Sequence, residues 1–472
     1  MRTLLSLLTA AVICSVVSVS FAMPDPTGVA ITIYNDNFAV VKDRRMMDFQ
    51  KGVNTVKFTD VASAVDPTSV NFTSLISPDD ITILEQNYEY DLVNTASLLK
   101  RYIDKDVEII VKGSGASSGS LKSGTLKAAV GSDLIISNGA GGMDIIARDS
   151  VQHISLAKTP DDLVTKPTLV WLANSKQAGP QPCQVTYTTE NISWKADYSA
   201  VLNDAEDALD LTAWVTVDNK SGAGYENATL KLIAGDVRRI KPQRSREMYY
   251  KGARAGALME LDGSAGFEEK EFMDYHMYTL GRKSTVNNNQ VKQIELMPAA
   301  HDVAAEKLYV LELSEYNWLK KSDKVQIRIE FKNTEENRLG IALPKGKVRV
   351  LKKDTADDTL EFVGEDTIDH TARKEDVSLY IGDAFDIVAE DKIIDSKHGT
   401  GYQKLTHAVE IRNRKDTPLI VYVDELGPKY VNMQVKDNNI DYVEKDAFTA
   451  RFEVPIEADS TETLTYTVTY SW

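Results

Sequence analysis

Cysteine is almost missing. The 472 residues include only Cys14 and Cys183, which excludes a disulfide-stapled scaffold and a cysteine zinc cluster. Positive charge is also in short supply. Lys and Arg number 54 against 70 Asp and Glu, for a net charge of −16, and an acidic chain is a poor partner for nucleic acid. The six histidines, at 153, 276, 301, 370, 398 and 407, form no i, i+4 pair of the kind a helix would use to hold a metal. Helical periodicity is rare, and one apolar run alone approaches the length of a membrane span. What remains is ample for folding: 43% hydrophobic and 26% charged residues can bury real cores, and the length suits about three domains.

The single long apolar run lies at the start. Arg2 supplies a positive residue, Leu4 to Val19 is apolar apart from small hydroxyl residues, and Ser20-Phe21-Ala22 sets small residues around a cleavage position. This pattern predicts a signal peptide over 1–22, cut after Ala22. Pro24 and Pro26 break any continuing helix. Cys14 follows Ile13 rather than a small residue, which speaks against lipid attachment. The expectation is an exported protein of the periplasm or cell envelope. After cleavage it keeps one cysteine and no transmembrane segment.

Period-two alternation dominates the rest. Val325, Ile327, Ile329 and Phe331 alternate with polar residues; Leu209 to Val217 and Leu464 to Tyr470 do the same. Such alternation predicts half-buried strands, and clusters of Gly, Pro, Asn and Asp separate them as turns require. The predicted class is all-β and multi-domain, built of antiparallel β-sandwiches. The expected divisions are an N-terminal β domain at 23–90, a small barrel at 91–158, and sandwich strands at 159–237 and 285–345. A mobile charged insertion is expected at 238–284, and a C-terminal β-sandwich at 346–472. Residues 91–158 differ from their surroundings. Leu98, Leu99 and Tyr102 share one face of a short helix, and five short strands follow over Val107–Lys112, Ser120–Val130, Leu134–Ser137, Met143–Ala147 and Val151–Leu156. One helix and five such strands resemble an Sm-like or SH3-like barrel. That shape implies RNA binding in some of its bearers, but the charges here nearly balance and no basic, aromatic-interleaved patch appears. Residues 238–274 run from a basic half (Arg238, Arg239, Lys241) to an acidic half (Glu268, Glu269, Glu271), with little apolar surface between.

Candidate chemistry is thin. Gly115-Ala116-Ser117-Ser118-Gly119 matches G-x-S-x-G, yet Ser117 sits in a hairpin tip rather than a strand–turn–helix elbow. Glu365, Asp366, Asp369 and His370 place carboxylates and an imidazole in one segment, the donor types of a divalent cation site. On an extended chain, neighbours such as Asp369 and His370 point to opposite faces. Cys183 lacks a local histidine and reads as a buried small hydrophobe. Trp171, Trp194, Trp214, Trp318 and Trp472 supply the rings of a glycan site but show no regular spacing. The alternating terminus, Leu464 to Trp472, has the form of an outer-membrane barrel strand, but the other strands are short and irregularly spaced, as in a sandwich.

Several stretches resemble a family of uncharacterised exported bacterial proteins, a domain-of-unknown-function group described as mucoidy-inhibitor-A-like. They are Ile33-Tyr34-Asn35-Asp36-Asn37-Phe38-Ala39-Val40-Val41, Ser193-Trp194-Lys195-Ala196-Asp197-Tyr198, Leu343-Pro344-Lys345-Gly346-Lys347-Val348-Arg349-Val350, Phe362 to Thr371, and Leu464 to Trp472. The resemblance covers nearly the whole chain beyond the signal and is weakest at 238–274 and near Gly427–Tyr430. It implies no active site. The expectation is therefore a non-enzymatic binding or assembly protein of the bacterial envelope, with an envelope protein or glycan as partner. No catalytic, cofactor or metal residue is assigned, and no cofactor is expected. A metal-assisted hydrolase at Asp366, Asp369 and His370, or a glycan-binding protein, is the alternative.

Overall fold

The computed structural model describes residues 27–89, 95–112, 119–139, 141–157, 166–235, 237–239, 267–314 and 324–472. Its first strands are β1 (Gly28–Tyr34), β2 (Phe38–Phe49), β3 (Gly52–Thr59), β4 (Asn71–Ser74) and β5 (Ile81–Glu89). The small barrel follows with α1 (Thr95–Arg101), β6 (Asp106–Lys112), β7 (Gly119–Val130), β8 (Asp133–Ser137), β9 (Met143–Ala147) and β10 (Val151–Leu156). Next come β11 (Thr168–Ser175), β12 (Gly179–Glu190), β13 (Ile192–Leu202), β14 (Ala208–Asn219), β15 (Tyr225–Ala234), β16 (Phe267–Phe272), β17 (Tyr275–Leu280) and β18 (Ser284–Val286). The 24-residue β19 (Gln290–Leu313) precedes β20 (Gln326–Lys332), β21 (Gly346–Lys353), β22 (Leu360–Ile368) and β23 (Asp376–Asp383). The last are β24 (Ile387–Gly399), β25 (Tyr402–Asn413), β26 (Leu419–Leu426), β27 (Asn432–Lys436), β28 (Tyr442–Asp446), β29 (Thr449–Ile456) and β30 (Thr461–Ser471). The all-β, multi-domain class read from the alternation holds.

The chain returns repeatedly to earlier sheets. One sheet runs β16-β17-β15-β1-β2-β12-β4 and packs on a second, β3-β11-β5. Alternation turns Phe49 and Phe72 of the first sheet toward Phe58 and Trp171 of the second. Phe72 meets Trp171 edge-on across the sheets at 5.4 Å, each ring contacts its sheet-mate, Phe49 or Phe58, at 6.5 and 5.7 Å, and the indole of Trp171 donates to Gln86 at 2.9 Å. Each buried ring contributes roughly 1.5–3 kcal/mol. The small barrel is an excursion from this sandwich, because β5 before it pairs with β11 after it, Glu89 opposite Thr168. Its strand order, β10-β6-β7-β8-β9, puts the last strand beside the first, and Leu99, Tyr102, Ile109, Leu126 and Ile136 form a core of its own.

A second barrel occupies the middle. Strands β22-β21-β13-β14-β19 continue through β20 into β23, and β23 returns beside β22. There Asp366 accepts the amide hydrogen of Tyr380 at 2.8 Å. At Gly364 a side chain would reach within 2.3 Å of the carbonyl oxygen of Ile381, so a glycine permits this close approach. The far end of β19 leaves the barrel and joins β26 in parallel, Tyr309 opposite Val421. There β26-β29-β28 packs on β24-β25-β30-β27, with a separate core that includes Val423, Phe452, Val468 and Tyr466.

Four expectations change. The N-terminal division at 23–90 is not a unit of its own, because its β1 pairs with β15 and its β2 with β12 of the 159–237 stretch. These pairings join distant sequence, which local alternation does not encode. Residues 346–368, assigned to the C-terminal sandwich, form β21 and β22 of the middle barrel. Within the expected mobile insertion at 238–284, residues 267–280 form the β16–β17 hairpin on β15. Charge count hid the buried Tyr278 and Leu280 that seat it; residues 240–266 lie outside the described residues. Strands are also not uniformly antiparallel: β1–β15, β13–β21 and β19–β26 are parallel.

Candidate functional site

The small barrel carries an open pocket of about 570 Å³. Its walls are the start of β6, the middle of β7, the ends of β8 and β10, and the turn after β8. Gly124 makes it: a side chain there would lie 2.2 Å from the carbonyl oxygen of Ser137. The lining mixes apolar surface with the carboxylates of Asp106 and Glu108, the hydroxyls of Ser123, Thr125, Ser137 and Ser155, and the amide of Asn138. Thr125 donates to Asp106 at 3.0 Å and fixes that carboxylate. Ser137, one of the lining residues, lies opposite Met143 on the edge strand β9. On that strand Met143 and Ile145 are 69% and 71% exposed, large apolar side chains left in water at a strand paired on one side only.

A different site is buried between the sheets of the C-terminal sandwich. Glu425 on β26 shares parity with the buried Val421 and Val423 and has no exposed surface. Two tyrosines of the facing β30 donate to its carboxylate: Tyr466 at 2.6 Å and Tyr470. Burial raises the Glu425 carboxyl above its ordinary range, against the nearby His407 and the two hydroxyls, which lower it. His407, on β25 at the parity of Leu405 and Val409, stacks on Tyr466 at 5.1 Å and donates through Nδ1 to Asp391 of β24 at 3.0 Å. The Asp391 side chain is 26% exposed, so the row runs from solvent to the core. A bulge at Ile394, between the pairs Ile393–His407 and Asp395–Thr406, re-aims β24 beside this row. The sequence reading missed all five residues. The signal was present for four of them: Glu425, His407, Tyr466 and Tyr470 each lie at an inward position of a strand whose neighbouring inward residues are apolar, whereas Asp391 sits on the exposed part of β24.

The candidates read from sequence are not brought together. Glu365 pairs with Lys347 at 2.6 Å; Asp366 holds the β22–β23 seam; Asp369 reaches Lys345 at 3.3 Å; and His370 Nδ1 accepts the amide hydrogen of Lys345. Among the described residues no group of three or more His, Cys, Asp and Glu is placed to hold a metal. Cys183 is fully buried, and burial pushes its thiol up to about 12, far from a reactive thiolate. Ser117 lies outside the described residues, as does Trp318. Trp171 and Trp194 are core residues, while Trp214 and Trp472 are exposed.

Of the stretches that carried the family resemblance, those around Asn35, Trp194, Gly346 and Asp366 meet one another, while Leu464 to Trp472 lies apart in the C-terminal sandwich. Trp194 accepts, at its carbonyl, the side-chain amide of Asn35 from the β1–β2 turn and donates its indole hydrogen to Ile233. Tyr198 donates to the carbonyl of Pro344 at 2.7 Å, and Ala196 lies opposite Gly346. These motifs specify a junction of sheets. No family model matches the chain, and no curated protein matches it significantly. Among the described residues no helix is long and apolar enough to cross a membrane.

Proposed function

We propose that this is a binding or assembly protein of the bacterial cell envelope, and that the small barrel is its contact module. The observation that carries the reading is a pocket whose lining residue Ser137 pairs with the edge strand β9, which bears the exposed Met143 and Ile145. Unpaired edge amides and carbonyls accept an added strand, and alternate side chains of that strand reach flanking pockets. The carboxylates of Asp106 and Glu108 favour a basic side chain among its residues. The occupant is thus an extended segment of an envelope protein bearing Lys or Arg. The topology supports this, since an excursion from a sheet can carry contacts without disturbing the sheet. Export rests on the signal-like residues 1–22 and on the resemblance to the mucoidy-inhibitor-A-like family.

A photo-crosslinking residue at Ile145, in intact cells, tests the proposal. The expected result is one dominant envelope-protein adduct, lost on Asp106→Lys with Glu108→Lys and absent when the probe replaces the exposed Val363 of β22. Equal labelling from both positions, or an adduct indifferent to the charge reversal, overturns it. A glycan adduct only would keep the contact on the small barrel but make its occupant a glycan, which overturns the protein-segment reading.

A further inference from the structure

Inside the C-terminal sandwich, the polar groups of the buried row all reach across a gap or along its solvent side. Glu425 is carried by β26 of one sheet, while Tyr466, Tyr470, His407 and Asp391 belong to β30, β25 and β24 of the other. The other strands facing this space present Phe452 from β29 and Val435 and Met433 from β27. The neighbouring Asp424 belongs to a separate network: it accepts two hydrogen bonds from Arg451, at 2.7 Å each, and has Lys445 at 3.8 Å. The protonation state of the row is therefore felt at the contact between sheets rather than within one strand. A carboxylate here has no exposed surface, and an apolar surround disfavours its charge. Two phenol donors compensate in part.

We propose that Glu425, held by Tyr466 and Tyr470 with His407 and Asp391 beside it, is a proton-binding site that couples closure of the C-terminal sandwich to pH. Folding takes up a proton, because the unfolded glutamate ionises at its ordinary value of 4.5 while the folded one holds its proton to higher pH. The stabilisation is complete below that ordinary value and is lost as pH rises through the raised folded value. The sheet β24-β25-β30-β27 accordingly grips its partner more tightly in mild acid than in alkali. Access for the proton is at Asp391, the member of the row with exposed surface. The His407 ring stands between that entrance and the core, and an imidazole accepts a proton on one nitrogen and releases it from the other.

Amide hydrogen exchange on the full chain between pH 5 and pH 8 tests this. Amides of β25 and β30 are read against those of β13 and β14, which belong to the other large core, so the intrinsic rate cancels. The relative protection of β25 and β30 should fall with rising pH, by up to about tenfold per pH unit for one proton. In Glu425→Gln the ratio should be flat. Tyr470→Phe leaves the carboxyl with one donor and should move the fall to higher pH. This variant decides the matter if Glu425→Gln does not fold, because an unchanged midpoint would then overturn the proposal. A flat ratio in the unaltered protein, a fall toward acid, or a fall that persists in Glu425→Gln overturns it as well.

Discussion

At the scale of single residues, the chain places its most demanding requirements where backbones approach closely. Gly346 lies opposite Ala196 in the parallel β13–β21 pair, and a side chain there would sit 2.3 Å from the carbonyl oxygen of Ala196 and 2.9 Å from the ring of Tyr198. Backbone cannot retreat within a paired sheet, so Gly346→Ala should destabilise by about 1–3 kcal/mol. Urea unfolding followed by tryptophan fluorescence checks this; an unchanged midpoint would show that β21 can shift. The motif around Gly346 was legible in sequence as a resemblance, but its reason was not, because the contact joins positions 150 residues apart. Glu425 shows the converse. Its inward parity with Val421 and Val423 was available from the alternation alone. The meaning of that parity depended on which strand faces it, and no local pattern names Tyr466 and Tyr470 as its donors.

At the scale of elements, strand positions were readable because a half-buried strand writes its two faces into alternate residues. The five strands of the small barrel fall within a residue or so of their expected places. Strand order was not readable, since β1 finds β15 and β5 finds β11 across long stretches of sequence. The β16–β17 hairpin was hidden for another reason: its charged residues outnumber Tyr278 and Leu280, which bury it. The pairing of β5 with β11 has a direct consequence. Their ends near Glu89 and Thr168 are neighbours with or without the small barrel, whose core is separate. Replacing residues 91–165 with a short Gly-Ser linker should therefore leave the rest folded, with its melting temperature within about 5 °C of the full chain. Far-ultraviolet dichroism with a thermal scan measures this. Collapse of the remaining strands would show that the barrel is part of the fold rather than an excursion from it.

At the scale of the molecule, three cores share one continuous chain, and β19 decides how two of them communicate. Its first part pairs with β14 in the middle barrel, its centre with β20, and its end with β26 in the C-terminal sandwich. Val310 lies where the last two overlap, opposite Gln326 on one side and Tyr422 on the other, and is fully buried. Proline has no amide hydrogen and is tolerated in sheets at edges, not between two partners. Val310→Pro should thus lower exchange protection by about tenfold or more in both β13 and β25, which belong to different cores. Val468→Ala, which removes two methyl groups from the C-terminal core alone, should lower it in β25 and spare β13. Loss confined to β25 in both variants would mean that β19 is two strands laid end to end, and that the pH response of the sandwich ends there. Loss in both cores for Val310→Pro would show that one residue of β19 supports the barrel and the sandwich together.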